Sequence, residues 1–162
     1  GVKPDLAAYS KAIANGWPIA AVAGADRARE GAAKIFVTGS FWYGAAAMAA
    51  AIATLRILRE TDALAHIEAM GERLRSGFDA AARKNGYTLR QTGPVQMPMV
   101  LFDGDKELKT GNAFCLAALR HGLYLHPKHN MFLSAAHRPA DIDQAIEAAD
   151  AAFRDIAAAG VV

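Results

Sequence analysis

Residues 45–59 form an alanine-rich run that carries no charged side chain before Arg56, and such a run limits the folds open to this chain. Alanine and leucine are strong helix formers, so the run predicts a helix from residue 45 to residue 59. A helix that is apolar on all its sides is typical of a protein interior or of a contact between subunits. We therefore expect this helix to be buried.

The sequence pattern of the rest of the chain predicts short strands that alternate with amphipathic helices. A second long helix is expected to end at Asn85-Gly86, a strong stop signal. Its apolar positions form one stripe, as do those of the final helix. The predicted stripe positions are Leu64, Ile67, Leu74, Phe78 and Ala81 in the first and Ile142, Ile146, Ala149, Phe153 and Ile156 in the second. The predicted elements are helices at 26–33, 62–84, 111–121 and 141–156 and strands at 87–91, 95–102, 123–125 and 131–135. The last ninety or so residues thus predict an α+β module with helices on one side of a small sheet.

Composition narrows the classes of function. The 18 basic and 16 acidic side chains are interspersed and leave a formal net charge of +2, with no basic run typical of nucleic-acid binding. No uncharged apolar stretch is long enough to span a membrane. The single Cys115 leaves no internal disulfide and no cysteine-based zinc site. We expect no nucleic-acid or membrane partner, no bound metal and a cytoplasmic location.

One lysine stands beside a tight reversal of the chain. The residues PDLAAYSKAIANGWPI, at 4–19, place Lys11 between two apolar segments, 6–10 and 19–23, with Asn15-Gly16 as a turn signal. If both segments are buried strands, the lysine stem is enclosed, and desolvation penalises the charged ammonium. A neutral, positioned amine is what carbonyl or pyridoxal chemistry needs for a Schiff base. The alternative is an ordinary lysine whose charged end reaches solvent from the end of an element.

The wording of this stretch resembles the lysine segment of class III, pyridoxal-phosphate-dependent aminotransferases. It reads GVKPDL, then SKAIANGWPIAAVAG after three further residues. The family includes the glutamate semialdehyde aminomutases and the ω-amino acid and amine transaminases. The resemblance implies pyridoxal 5'-phosphate as cofactor, bound to Lys11 as a Schiff base, with the freed Lys11 amine then acting as general base.

The loop before the alanine-rich helix is the second candidate site. Gly39 and Ser40 supply backbone N–H groups and a hydroxyl near a helix N-terminus, which attracts phosphate, whereas the pattern alone favours a simple N-cap at Ser40 or Thr38. The resemblance implies that Ser40 takes the place of a family threonine that reaches the cofactor phosphate of the neighbouring subunit, in a homodimer with shared active sites. Trp42-Tyr43-Gly44-Ala45 departs from the family's small-Gly-Asn-Pro. This change adds two aromatic rings near the substrate entrance, or at a dimer contact.

The loop 126–130 is a third candidate. His126, Lys128 and His129 lie close together in the sequence, but no third metal ligand of the right type is near. The resemblance places the neighbouring strand on the active-site side of the small domain and so implies substrate contact. A solvated loop is the alternative.

The resemblance implies an α/β protein of fold type I. Residues 1–65 would be the C-terminal part of the large cofactor domain, and residues 66–162 the small α+β domain. Because the chain starts with Gly1 rather than Met, we interpret it as a fragment, the C-terminal two-fifths of a family enzyme. The implied activity is amino transfer from an amine or amino acid to a keto acid or aldehyde. Alternatives are an isomerase like glutamate-1-semialdehyde 2,1-aminomutase, other mutase, racemase or decarboxylase chemistry, and an inactive dimerisation or binding fragment. We expect the 162 residues alone not to catalyse transamination.

Overall fold

The computed structural model describes residues 1–161, which divide into two compact units, Gly1–Asp62 and Ala63–Val162. Identifying these units with the large and small domains stays a prediction. The helices and strands, in chain order, are β1 (Leu6–Tyr9), β2 (Ala21–Gly24), α1 (Arg29–Ala33), α2 (Ala45–Glu60), α3 (Ala63–Lys84), β3 (Leu89–Thr92), β4 (Met99–Phe102), α4 (Lys109–Arg120) and α5 (Pro139–Ala158).

The first unit is built on a hairpin and a helix. Strands β1 and β2 pair antiparallel, with Leu6 opposite Gly24 and Tyr9 opposite Ala21. The two strands were expected to be buried, and that expectation is wrong, because none of their residues is buried and all except Ala7 and Ala21 are exposed. A two-stranded ribbon can bury its faces only against a further layer, and none covers it within Gly1–Asp62.

Helix α2 forms where the alanine-rich run predicts it, but its burial differs. Only Ala47 and Ala51 are buried, whereas the larger side chains of the helix, such as Ile52 and Leu55, are exposed. Two small side chains cover little area, so α2 keeps most of its apolar surface accessible in this chain.

The second unit has its own core. Helix α3 packs against α5, and α4 packs against α5 as well. Phe114 and Phe153 stack in the centre with ring centroids 4.4 Å apart, and both side chains are almost fully buried. The two helices approach closely at Gly77, where an added Cβ would lie 2.3 Å from Cδ1 of Ile146. The stripe predicted for α5 is confirmed, because four of its positions are buried and Ile146 packs against the core.

The stripe predicted for α3 is confirmed at Leu74, Phe78 and Ala81 but is wrong at Leu64, which is 58% exposed. His137, which precedes α5, already contacts His66. Leu64 therefore lies beyond the start of the facing helix, where no described element covers it.

Two predicted strands, 123–125 and 131–135, are absent from the described structure, and strand 95–102 shortens to Met99–Phe102. The N–H groups of Met131 and Leu133 donate to the carbonyls of Pro98 and Gln96, at 2.8 and 2.9 Å, as in an antiparallel pair. Proline has no N–H to return such a bond, so a regular ladder cannot form there.

Candidate functional site

Lys11 occupies an unusual backbone conformation. It opens a short 3-10 turn, Lys11–Ile13, between β1 and β2, and its φ is +54°. This left-handed region is uncommon for a residue that carries a side chain, and such outliers concentrate at functional sites. Ser10 closes the base of the loop, where its hydroxyl donates to the carbonyl of Ile19 at 3.3 Å. The tight reversal expected from Asn15-Gly16 is confirmed, and Gly16 has a φ of +105°.

Lys11 lines an open groove of about 510 Å³ together with its neighbours in the loop, Ser10, Ala12, Asn15, Gly16, Trp17, Pro18 and Ile19. Lysine 11 itself is exposed. The expectation of an amine enclosed between two buried strands is therefore wrong for this chain. The physical reason is the one that leaves the hairpin exposed, namely that no further layer within Gly1–Asp62 covers it.

The loop is fixed to helix α2 by contacts that sequence reasoning missed. Ala14 is fully buried, and the Asn15 side-chain amide donates to the Thr54 hydroxyl at 3.0 Å. The partners are 39 residues apart, so no local spacing connects them. The one available signal was a threonine in the middle of an otherwise alanine- and leucine-rich helix.

Gly39 and Ser40 lie in a loop of turns that leads into α2. The N–H of Trp42 donates to the Gly39 carbonyl at 3.1 Å, and that of Gly44 to the Phe41 carbonyl at 3.2 Å. Within residues 1–161, the N–H and hydroxyl of Ser40 have no hydrogen-bond partner, and the residue is exposed. Gly39 and Ser40 do not line the groove beside Lys11. Their assignment to the phosphate of a neighbouring subunit stays a prediction.

Three aromatic side chains follow Ser40 in this loop. Phe41, Trp42 and Tyr43 are all exposed. An exposed aromatic cluster of this kind is typical of surfaces that bind a ligand or a partner. The placement of Trp42 and Tyr43 near a substrate entrance or in a dimer contact stays a prediction.

The second unit contains a separate cleft of about 710 Å³, between α3, α5 and the segment 121–133. His126 and His129 line it, whereas Lys128 does not. The N–H of Lys128 donates to Nδ1 of His126 at 3.1 Å, so one imidazole nitrogen is already occupied. Sequence patterns do not reveal a further contact in this unit, between Nε2 of His66 and the His137 carbonyl at 2.7 Å. The proposed substrate contact of this loop stays a prediction.

Among residues 1–161, no group of three or more His, Cys, Asp or Glu side chains is arranged to hold a metal ion. Over the same residues, none of the helices combines the length and the apolar character that crossing a membrane requires.

The family model for class III aminotransferases matches residues 1–153. The chain is 50% identical to aminopentol aminotransferase of Sphingopyxis macrogoltabida over 153 residues, 94% of this chain and 36% of that protein. It is 31% identical to glutamate-1-semialdehyde 2,1-aminomutase of Thermus thermophilus, covering 91% of this chain and 39% of that protein. The chain thus spans between a third and two-fifths of the length of these relatives.

A solved structure gives the same picture. The structure described as the internal aldimine form, with pyridoxal phosphate, of the Sphingopyxis sp. MTA144 FumI protein superposes with a TM-score of 0.93 at 49% sequence identity. The match covers 96% of this chain and 37% of that one. The mixed α/β architecture is that of fold type I transferases, as the resemblance implied. On the family match and on this structural agreement, the chain belongs to the class III aminotransferases.

Proposed function

We propose that the full-length protein containing these residues is an aminotransferase that holds pyridoxal phosphate through Lys11. The observation that carries the proposal is the left-handed backbone of Lys11, φ +54°, in a turn fixed on helix α2. A lysine that only reaches solvent has no need of such a conformation, whereas a lysine that must present its amine at one point does. The family match over residues 1–153 supports the same assignment.

The residues present fit this cofactor in two respects. Lys11 offers an accessible amine, and Ser40 offers an N–H and a hydroxyl with no partner among residues 1–161. Bound pyridoxal phosphate supplies an aldehyde that bonds amines and a ring that withdraws electrons from the carbon bearing the nitrogen. The Ser40 donors and the adjacent N-terminus of α2 would bind the phosphate, since helix N-termini favour anions.

The role of Lys11 is to hold the cofactor and then to move a proton. When neutral, its Nζ would accept the proton from the substrate carbon that bears the nitrogen and would return it to the carbon on the other side of that nitrogen. Neutrality requires that water be excluded from the amine. The hairpin around Lys11 is uncovered within Gly1–Asp62, so this exclusion has to come from other parts of the full-length protein or from a second subunit.

A second copy of the protein is our candidate for part of that cover. The exposed apolar side chains of α2 and the aromatic residues after Ser40 form a surface that association would bury. In such a homodimer, Ser40 of one subunit would serve the cofactor held by Lys11 of the other. The substrates would be an amine or amino acid and a keto acid or aldehyde.

Isomerisation by an aminomutase is the second candidate function. Several relatives, at 30–31% identity, are glutamate-1-semialdehyde 2,1-aminomutases. The 50% identity to an aminotransferase makes amino transfer between two molecules the stronger candidate. An assay that follows both a keto product from the donor and an amine product from the acceptor separates the two, because an aminomutase needs no second substrate.

The test uses the full-length protein loaded with pyridoxal phosphate and reduced with borohydride, which locks the carbon–nitrogen bond for mapping by mass spectrometry. We expect the label on Lys11 and a loss of amino transfer of about a hundredfold or more in Lys11→Ala. Lys34→Ala, which changes another exposed lysine of the same unit, is the matched control and should keep wild-type activity. A label on another lysine, or full activity of Lys11→Ala, would contradict the proposal.

A further inference from the structure

The turn that carries Lys11 contains two strained residues rather than one. Lys11 has a φ of +54° and Asn15 a φ of +46°, and neither is glycine. Left-handed backbone is unfavourable for residues with a Cβ, although asparagine tolerates it better than most. A turn with two such residues within five positions keeps one shape only if contacts elsewhere hold it.

Helix α2 supplies those contacts. The fully buried Ala14 lies between the two strained residues, Lys11 and Asn15, and the 3-10 turn packs on α2. The Asn15 amide donates to Oγ1 of Thr54 at 3.0 Å, and Thr54 donates its own hydrogen to the Ala50 carbonyl at 3.0 Å. The hydroxyl is therefore oriented by the helix, and its lone pairs are left to accept from Asn15.

The same helix begins at the other candidate site. The loop with Gly39 and Ser40 leads directly into α2, which starts at Ala45, and Thr54 lies nine residues further along. One helix thus carries the loop of Ser40 at its start and the anchor of the Lys11 turn in its middle. A straight helix is stiff over such a short distance, so the anchor sets where the turn lies relative to that helix.

We propose that Asn15 and Thr54 are positioning residues, a hydrogen-bonded pair that fixes the direction in which Lys11 presents its amine. The inference rests on the proposed function, because it concerns the geometry of the lysine that holds the cofactor. Neither residue is assigned contact with substrate or cofactor. Without this hydrogen bond, we expect the cofactor to stay bound to Lys11. The Lys11 amine would be less well aligned with the carbon whose proton it moves.

The experiment compares three variants of the full-length protein loaded with pyridoxal phosphate. Thr54→Val removes the acceptor at nearly constant shape, and Asn15→Gly removes the donor while keeping a residue that tolerates a positive φ. Thr54→Ser keeps the hydroxyl and is the rescue. Thr61→Val is the matched control, because Thr61 makes the same type of bond to a carbonyl four residues earlier, Ile57 at 2.7 Å, near the end of α2.

For Thr54→Val and Asn15→Gly, we expect kcat to fall between about tenfold and a hundredfold, with KM for the amine within about twofold of wild type. The pH midpoint of the cofactor absorbance should move as well, and Thr54→Ser and Thr61→Val should keep the wild-type midpoint. Because both single variants break the same Asn15–Thr54 hydrogen bond, the double variant should lower kcat no further than Thr54→Val alone.

Two outcomes would overturn the inference. One is a wild-type kcat and a wild-type absorbance midpoint in both variants. The other is a lowered melting temperature with an unchanged midpoint, which would show a merely structural role. Borohydride mapping separates these from a failure of the proposed function: a label on Lys11 with unchanged kinetics overturns only the role of the pair, whereas a label elsewhere overturns the assignment of Lys11.

Discussion

The two units of this chain have similarly apolar sequences but bury them to very different extents. In Ala63–Val162, three phenylalanines are almost fully buried: Phe78, Phe114 and Phe153. In Gly1–Asp62, the buried apolar residues are all alanines, at positions 14, 47 and 51. None of the larger apolar side chains of this unit is buried, and most of them, including Leu6, Phe36 and Ile57, are exposed.

The difference shows that the second unit has a core of large apolar side chains, whereas the first unit has none within residues 1–62. Burial of large apolar side chains is the main stabilising contribution to a fold. Of the two units, the second has such a buried core, within residues 63–161. The first unit carries the candidate site at Lys11, so this site lies in the unit with the fewer buried apolar side chains.

Phe153→Ala and Phe36→Ala remove the same side chain from the two units. Phe153 is fully buried and stacks on Phe114, so its loss should lower the free energy of unfolding of the second unit by about 3–5 kcal/mol. Phe36 is 90% exposed, and its loss should cost no more than about 0.5 kcal/mol. Hydrogen exchange of the 162-residue chain, followed separately for amides of each unit, measures both. Equal losses would show that the first unit has a core of its own.

Two glycines give a second comparison. A Cβ on Gly71 would lie 2.3 Å from the backbone oxygen of Val95, which cannot move aside cheaply, whereas a Cβ on Gly31 would meet nothing within 4 Å. We expect Gly71→Ala to destabilise the second unit by about 1–3 kcal/mol. Gly31→Ala should be neutral or slightly stabilising, since alanine favours helix α1. Urea unfolding of the two variants checks this, and an unchanged midpoint for Gly71→Ala would show that the contact is loose.

The helices could be predicted from sequence because their periodicity and end signals are local. Helix α3 ends at Lys84, before the predicted Asn85-Gly86 stop, and α5 buries the stripe from Ile142 to Ile156. The start of α4 was placed two residues late, at Gly111 rather than Lys109. The carboxylate of Asp105 accepts the N–H groups of Lys109 and Gly111, both at 2.8 Å, and so caps the helix from outside it.

Other features depend on contacts between residues far apart in the chain, and local sequence patterns could not predict them. The strand predicted at 131–135 fails because its neighbour contains Pro98, which cannot return a hydrogen bond. Lys11 was recognised from the sequence around it. Its left-handed backbone and the Asn15–Thr54 hydrogen bond, in contrast, follow from tertiary contacts. The enclosure of the Lys11 side chain was predicted from the two apolar segments beside it. Apolar residues indicate that a surface is to be buried, but they do not indicate which part of a protein buries it.

Low pH should sharpen the contrast between the units. In the second unit, the hydrogen bond from the Arg138 guanidinium lowers the pKa of Asp141 from 3.8 to about 2. A hydrogen bond from His121 likewise lowers the pKa of Asp155. A carboxylate whose pKa is lowered by folding contributes stability above its unfolded pKa, and this contribution is lost as the pH falls through its folded pKa. The second unit should therefore lose stability between about pH 4 and pH 2.

Asp141→Asn tests one source of that loss, and its effect is the smallest predicted here. The Asp141 carboxylate also accepts the N–H of Arg138 at the start of α5, at 2.8 Å, so the variant should be less stable than wild type at pH 6. Because asparagine does not titrate, the difference should shrink as the pH falls from 4 towards 2. Melting temperatures of the 162-residue chain at pH 6, 4 and 2.5 measure this, with Asp103→Asn as control, since the Asp103 carboxylate has no hydrogen bond among residues 1–161. A difference that stays constant with pH would show that the carboxylate acts only through its shape and not through its charge.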